Sequence, residues 1–594
     1  MRTYRRNARG GLSQPVIGEL LLLLAAHLLL TGLPLAAAAL LAARKGVVSV
    51  PVLLAIGLAA SGVTGLLGFW AYYADPVVGE TFSYLLFLGS AILVSWIVVG
   101  GGIDRDLLRQ LATPLVLWGL ASVFLVFLGF VHGGTETPLA TATTRFSHPL
   151  PSDNQIPLYY TEWFFDHGHS GRPPEFPGEW FFSDRPPLQV GYGLWQHPFG
   201  WDAKGLSYQV MGVVLQQLWI VGLWALMLAA GLGRLTRGLT AIAILLSSLA
   251  IVNGFFVWPK LLPAAMLLGA AALVMTPLWE RVRHSLWAAA LVAALCGAAM
   301  LGHGSSVFGV IPLAAVAAYR GLPSWRWLGV AALVGIAFMA PWSAFQKYED
   351  PPGNRLAKWT LAGEPAIDDR GTLETIVDAY RAEGLGGALH NKGQNFATIS
   401  GGTMAPKAIE AALDTGNLTE ITRAFRAVFF YYLLPSMGLL LLAPFAMALR
   451  RRNRGSPEFR FALTCFAAAF IGTVVWALLV FGNTNDRTVL HIASYLVPIL
   501  GMAGAVAGLR ASFPRFALWY VGAASALSLA LYAPVLDQLP GTQYSVTAAV
   551  LAALALAGFV AAALAGSGRA AEGARGEAAS GPGQIRGDAR HPAA

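Results

Sequence analysis

Apolar residues in this chain come in long unbroken runs, without the alternation of strands or the one-sided stripe of soluble helices. Runs rich in Leu, Ala, Val and Phe recur near residues 17–43, 50–72, 82–101, 111–131, 206–231, 238–257, 262–279, 285–302, 304–319, 327–344, 424–449, 460–481, 488–508, 514–533 and 545–567. Most hold about 18 residues or more, and a helix rising about 1.5 Å per residue needs about 20 to cross a hydrocarbon core of about 30 Å. Barrel strands would alternate over about ten residues, which is too short a period for these runs. The pattern predicts an all-α, polytopic membrane protein with about fifteen spans.

Two long polar stretches interrupt the runs, at 132–205 and 345–423. They divide the chain into N-terminal spans (1–131), a first large loop, central spans (206–344), a second large loop, C-terminal spans (424–567) and a tail from 568 to 594. The tail is rich in Gly, Ala and Arg without periodicity, and is expected to be disordered. Composition agrees with a lipid environment: 56% hydrophobic and 12% charged residues, with a mean hydropathy of +0.59. The net charge of +9 does not point to nucleic acid, because the basic residues are scattered over short loops. Cys296 and Cys465 fall inside apolar runs and read as small packing residues. The first run is long and lacks a small-residue cleavage site, so no cleavable signal peptide is expected.

Lys and Arg are retained on the cytoplasmic side during insertion, and they sort the loops into two sets. Arg44/Lys45, Arg105/Arg109, Arg234/Arg237, Arg281/Arg283, Arg320/Arg326, Arg450 to Arg452, Arg510/Arg515 and the tail from Arg569 all fall on one side. Both large loops fall on the other, which places them outside the cytoplasm of a plasma or inner membrane. The basic start MRTYRRNARGG is the one segment this count sets outside against its charge.

The first loop carries SDNQIPLYYTEWFFDHGHSGRPPEFPGEWFFSDRPPLQ, Ser152 to Gln189. Its rings, among them Tyr159, Tyr160, Trp163, Trp180 and Trp195, suit an interfacial belt and suit sugar stacking equally. Asp153 precedes Leu158–Phe165, which has the apolar content of a short helix lying along the membrane surface. A carboxylate there is partly desolvated and reachable from water, which suits a general base.

SDNQIPLYYTEWFFDHG resembles the start of the first outer loop of GT-C glycosyltransferases, where an acidic residue opens the loop and a surface helix ending near a Gly follows. SDRPPLQVGYGLW resembles the Pro-Pro-Leu element of the branch containing protein O-mannosyltransferases and lipid A aminoarabinose transferases. The resemblance implies an inverting transfer of a sugar from a polyprenyl-phosphate carrier to an unknown acceptor hydroxyl, with membrane lipid as the carrier's surroundings. Asp153 would be the catalytic base, and Glu162, Asp184 and Arg185 substrate-binding or structural. Two departures stand out. The second acid of the usual pair is Asn154 here, and the loop follows the fourth apolar run instead of the first.

A carrier phosphate is already a good leaving group, so one base plus positive charge on the phosphate covers the chemistry. The outer side offers Lys260, Arg355, Lys358, Arg423, Arg426 and Arg487. Arg487, His491 and Tyr495 share a helix face at i, i+4 and i+8, either contacting the donor or packing helices with Asp486 as the counter-charge. Lys260 either meets the ligand or extends to the headgroups, and His303 reads as a cap or packing group. Asp166 to His169, DHGH, has no recognised metal spacing. No cofactor is expected to be required, and a divalent metal stays open. In the second loop TLETIVDAYRAEGLGGAL repeats Leu373, Ile376, Val377 and Tyr380 at helical spacing, predicting an amphipathic helix over the mouth of the site.

The competing classes are an outer-face sugar polymer ligase or polymerase and a carrier-lipid transporter or flippase. Transporters hold charges near the midplane on broken helices, whereas this chain concentrates them at the outer ends and in two long loops.

Topology is directly testable. A cysteine introduced by Ser170→Cys is expected to react with a membrane-impermeant thiol reagent in intact cells, and labelling only after lysis would overturn the orientation.

Overall fold

The computed structural model describes residues 14–146, 150–177, 180–201, 205–402, 404–416, 418–449, 455–482, 495–533 and 544–565. Every apolar run is helical as far as it is described, so the fold is all-α. Among the described residues eight helices are long and apolar enough to span a membrane: Gln14–Arg44, Val50–Ala74, Pro76–Val99, Arg105–Gly129, Leu206–Ala229, Trp325–Glu349, Pro457–Leu479 and Val546–Ala565. A ninth forms if Arg234–Leu245 and Ser248–Phe256, bent by 58°, count as one broken span.

Against the expectation of about fifteen spans, the described residues thus hold eight helices of spanning length, or nine with the bent pair. Leu261–Val274, Leu286–Gly302, Gly304–Arg320 and Leu496–Ser512 are apolar helices of 10–17 residues. At 1.5 Å per residue a 14-residue helix reaches only about 21 Å, short of the hydrocarbon core. The 424–449 run is broken into Leu418–Tyr431, Leu433–Ser436, Gly438–Leu442 and Ala443–Leu449. Pro435 and Gly438, which has a positive φ of 58°, stand at these breaks. Apolar composition continues through such breaks, so hydropathy alone joins what backbone chemistry divides.

Leu206–Ala229 lies at the centre, with all of its apolar window buried. It packs against Gln14–Arg44, Val50–Ala74, Arg105–Gly129 and Leu261–Val274. Pro76–Val99 and Trp325–Glu349 bury only 17% and 11% of theirs, so they are peripheral. Small residues set the closest approaches. A Cβ on Gly191, in the Leu188–Gln196 helix, would run into the carbonyl oxygen of Gly65 on Val50–Ala74. Cys296 and Cys465 are free thiols.

The core also contains amides. Ser248–Phe256 ends at Val257, whose φ of 54° is left-handed, an uncommon state for a β-branched residue that costs on the order of 1–3 kcal/mol. The break before Leu261 leaves backbone groups without helical partners inside the bundle. Buried glutamines supply them: Gln209 Nε2 donates to Phe255 O at 2.6 Å and Gln189 Nε2 to Val257 O at 2.7 Å. Gln216 Oε1 accepts the N–H groups of Leu261 and Leu262 at 2.8 and 3.1 Å. Gly212 leaves room for the turn, since a Cβ there would sit 2.6 Å from that of Val257.

The Gly65–Gly191 contact yields a stability test. Gly191→Ala is expected to cost about 1–3 kcal/mol by overpacking and to lower the thermal transition in detergent. Gly89→Ala, on the peripheral Pro76–Val99 helix with nothing near its Cβ, is expected to leave it unchanged or slightly raised. Equal transitions for the two variants would refute the close approach.

Candidate functional site

Asp153 sits in a 3-10 turn, Ser152–Gln155, that feeds the helix Ile156–His167. Pro157 occupies the first turn of that helix, where a missing N–H costs nothing, and Gly168 ends it with φ 55°. The carboxylate of Asp153 is half-buried, at the wall of a cavity. Asn154 instead turns inward, is fully buried and donates Nδ2–H to Leu139 O at 3.0 Å. An ionised acid at that position would be buried facing a carbonyl oxygen, which gives a physical reason for an amide there.

The aromatic residues of this segment take a third role besides the two that the sequence offers. Phe164 and Phe182 pack with Phe69 and Trp342, at centroid distances of 5.3 Å for Phe69–Phe164, 4.7 Å for Phe164–Phe182 and 5.3 Å for Phe182–Trp342. They form a ring cluster that fixes the first long polar segment onto Val50–Ala74 and Trp325–Glu349. Tyr160, Trp180 and Phe182 also line the cavity.

The residues around 183–185 are held by the second long polar segment. Asp350, fully buried, accepts Ser183 N–H at 2.8 Å with one oxygen and Arg172 Nε–H at 2.8 Å with the other. Gln346 Nε2 donates to Ser183 O at 2.8 Å. Asp184 accepts Phe181 N–H at 3.1 Å and lies 3.5 Å from Arg355. Burial raises the Asp184 carboxyl above the usual range, opposed by Arg185, the Phe181 N–H and Arg355. Asp184 and Arg355 therefore form a bridge between the two segments, and neither is among the residues lining the cavity.

The cavity encloses about 460 Å³. Its polar end holds Asp153, Arg185, Gln189 and His303, and Met300, Val307, Phe308 and Leu479 line an apolar remainder. The Arg185 guanidinium lies over Trp180 at 4.1 Å and Trp258 at 5.2 Å from the ring centroids. Its NH1 reaches Asp184 O at 3.4 Å, while its buried Nε meets no hydrogen-bond acceptor among the described residues. One further wall comes from Arg355–Ala362, through Leu356, Trp359 and Thr360. Thr360 O accepts Phe481 N–H at 2.9 Å, anchoring this wall to the end of Pro457–Leu479.

Lys260 is buried behind His303, with Nζ 2.6 Å from His303 Nε2 and 6.0 Å from the Tyr495 ring centroid. Burial drives its ammonium well below the ordinary lysine range, with Asp153 opposing and Arg185 adding to the fall. Lys358 takes another role: its Nζ is 2.6 Å from Asp368 Oδ1 and it does not line the cavity. Lys358 and Arg370 hold the Asp368 carboxyl below its usual range. Glu162 is exposed on the helix and also away from the lining. Arg423 pairs with Glu420 at 2.8 Å, and Arg426 is buried. His167 and His169 each place a ring nitrogen 2.9 Å from a backbone carbonyl, of Trp163 and Ala74. Arg487 and His491 lie outside the described residues.

The amphipathic helix expected in the second segment is present as Thr372–Ile399, kinked at Gly384. It does not line the cavity, and Leu373 and Val377 point outward at 74% and 43% exposure. Thr375, Asn391, Asn395 and Ile399 are its buried residues instead. The second segment meets the cavity through Arg355–Ala362 instead.

Sequence reading missed Asp350, Ser305 and Trp258, whereas Trp180 was among its candidate rings. YEDPPG, with its own Pro-Pro, was the available signal for Asp350. No family model, no curated protein and no solved structure matches the chain.

Proposed function

We propose that this protein is an inverting glycosyltransferase that moves a sugar from a polyprenyl-phosphate carrier to an extracytoplasmic hydroxyl. The observation that supports this reading best is the composition of the single cavity that Asp153 and Arg185 share. A carboxylate and a guanidinium stand at its polar end, and an apolar remainder suits a lipid chain.

In this reading the acceptor oxygen attacks the anomeric carbon on the face opposite the phosphate. The new C–O bond forms as the bond to the phosphate oxygen breaks, and the electron pair leaves with the phosphate. Asp153 takes the hydroxyl proton, and Arg185, lying against Trp180 and Trp258, neutralises charge growing on the leaving group. A guanidinium fixed by two rings loses little freedom on binding, which favours a directional contact over a diffuse one. Asp184 contributes by holding the element that carries Arg185. The donor would enter from the outer leaflet.

Two carboxylates thus have separable roles. Asp153→Asn keeps the shape but cannot take a proton, so turnover at saturating donor is expected to fall about a hundredfold to ten-thousandfold with donor binding retained. Asp184→Asn weakens the bridge to Arg355 and is expected to lower the thermal transition while costing less in turnover. Near-native turnover in folded Asp153→Asn, or a much larger loss in Asp184→Asn, would show that the base is misassigned.

A further inference from the structure

The second long polar segment leaves an apolar stripe exposed. Thr372–Ile399 is kinked at Gly384, and its second half, residues 385–399, has three distinct faces. The buried Asn391, Asn395 and Ile399 recur at every fourth position and share one face. At about 100° per residue, Leu385, Leu389 and Phe396 fall within about 40° of one another beside it. They are 79%, 64% and 42% exposed. His390, Gln394 and Thr398 occupy the side opposite that stripe.

Hydrogen bonds fix the depth at which the stripe lies. Asn395 Nδ2 donates to Ala477 O at 3.0 Å and to Val480 O at 2.9 Å, and Lys392 Nζ donates to Val480 O at 2.6 Å. These carbonyls belong to the last turn and the end of Pro457–Leu479, one of the eight helices of spanning length. Such a helix of 23 residues rises about 35 Å, so its ends lie at the edges of a hydrocarbon core of about 30 Å. Leu463, Phe470 and Leu478 are exposed along one of its faces. An exposed apolar strip therefore runs up to the turn that Lys392 and Asn395 grip.

We propose that residues 385–399 lie along the membrane surface at the rim of the bundle, with Leu385, Leu389 and Phe396 among the lipids and the opposite stripe in water. A helix with one face against protein, an apolar flank and a polar flank finds all three surroundings at the boundary of a bilayer. The polar stripe contains no Lys or Arg, so the surface it fits is zwitterionic lipid, and anionic lipid adds nothing. The seat also steadies the cavity, because Phe481 N–H, next to the gripped Val480, bonds Thr360 O in the cavity wall. This placement is independent of the chemistry in the cavity.

The test is collision-accessibility electron paramagnetic resonance on the full-length chain in nanodiscs of phosphatidylcholine. In a Cys296→Ala, Cys465→Ala background, a nitroxide is attached after Leu389→Cys or Gln394→Cys. The label at 389 is expected to collide with oxygen in preference to a water-soluble nickel chelate, and the label at 394 to do the reverse. Their depths are expected to differ by on the order of 10 Å, the width of a helix. Added phosphatidylglycerol is expected to change neither. If the label at 389 met the chelate as readily as the label at 394, the stripe would lie in water; if it were shielded from both agents, another protein or a second copy would cover it. Either result overturns the proposal, and a shift of depth with phosphatidylglycerol overturns the choice of lipid. With the native cysteines kept, Leu389→Asp is expected to lower the thermal transition in the same nanodiscs by more than Gln394→Asp, which places the same residue on the wet side. Equal transitions would overturn the proposal even if the alanine background failed to fold.

Discussion

Three glutamine side chains make the rest of the architecture possible. A helix that breaks inside a membrane bundle exposes carbonyl and N–H groups to surroundings that cannot satisfy them, at a cost of several kcal/mol per group. The break between Ser248–Phe256 and Leu261–Val274 is of this kind, and Gln189, Gln209 and Gln216 bond its freed groups at 2.6–3.1 Å. With those bonds made, the chain can turn at Val257 and present Trp258 to the cavity and Lys260 to His303. All three glutamines are buried, so the amides act as parts of the backbone's own hydrogen-bonding scheme.

The same dependence runs through the two long polar segments, which are far apart in sequence yet act as one wall. Asp350 reaches both Arg172 and Ser183, Gln346 reaches Ser183, and Arg355 reaches Asp184. Buried charges are expensive unless paired and hydrogen-bonded, and here both oxygens of Asp350 are engaged. The first segment supplies Asp153 and Arg185, and the second fixes the turn from which Arg185 projects.

Helical character and membrane residence were legible from run length alone. The number of spans was not, because apolarity does not distinguish lipid from protein as a neighbour. Leu206–Ala229 and Trp325–Glu349 share a hydropathy of 1.8, yet one window is wholly buried and the other 11% buried. At the site, Asp153 and Arg185 were legible because each stands in a short motif, and the structure brings both to one cavity. Lys358 was misleading because its counter-ion, Asp368, lies ten residues on in a turn that periodicity does not describe. Trp258 meets Arg185, and Asp350 meets Ser183, only across long stretches of chain, while Ser305 bonds His303 two residues before it, a local contact that periodicity does not flag.

On the transferase reading, the size of the cavity bears on which carriers the protein could tell apart. About 460 Å³ admits a head group and the beginning of a prenyl chain, whereas a long carrier is many times bulkier. On the transferase reading, the remaining isoprene units stay among the acyl chains of the leaflet and make no contact with protein. Selection would then act on the sugar, the phosphate and the first units, leaving the protein indifferent to how far the tail continues.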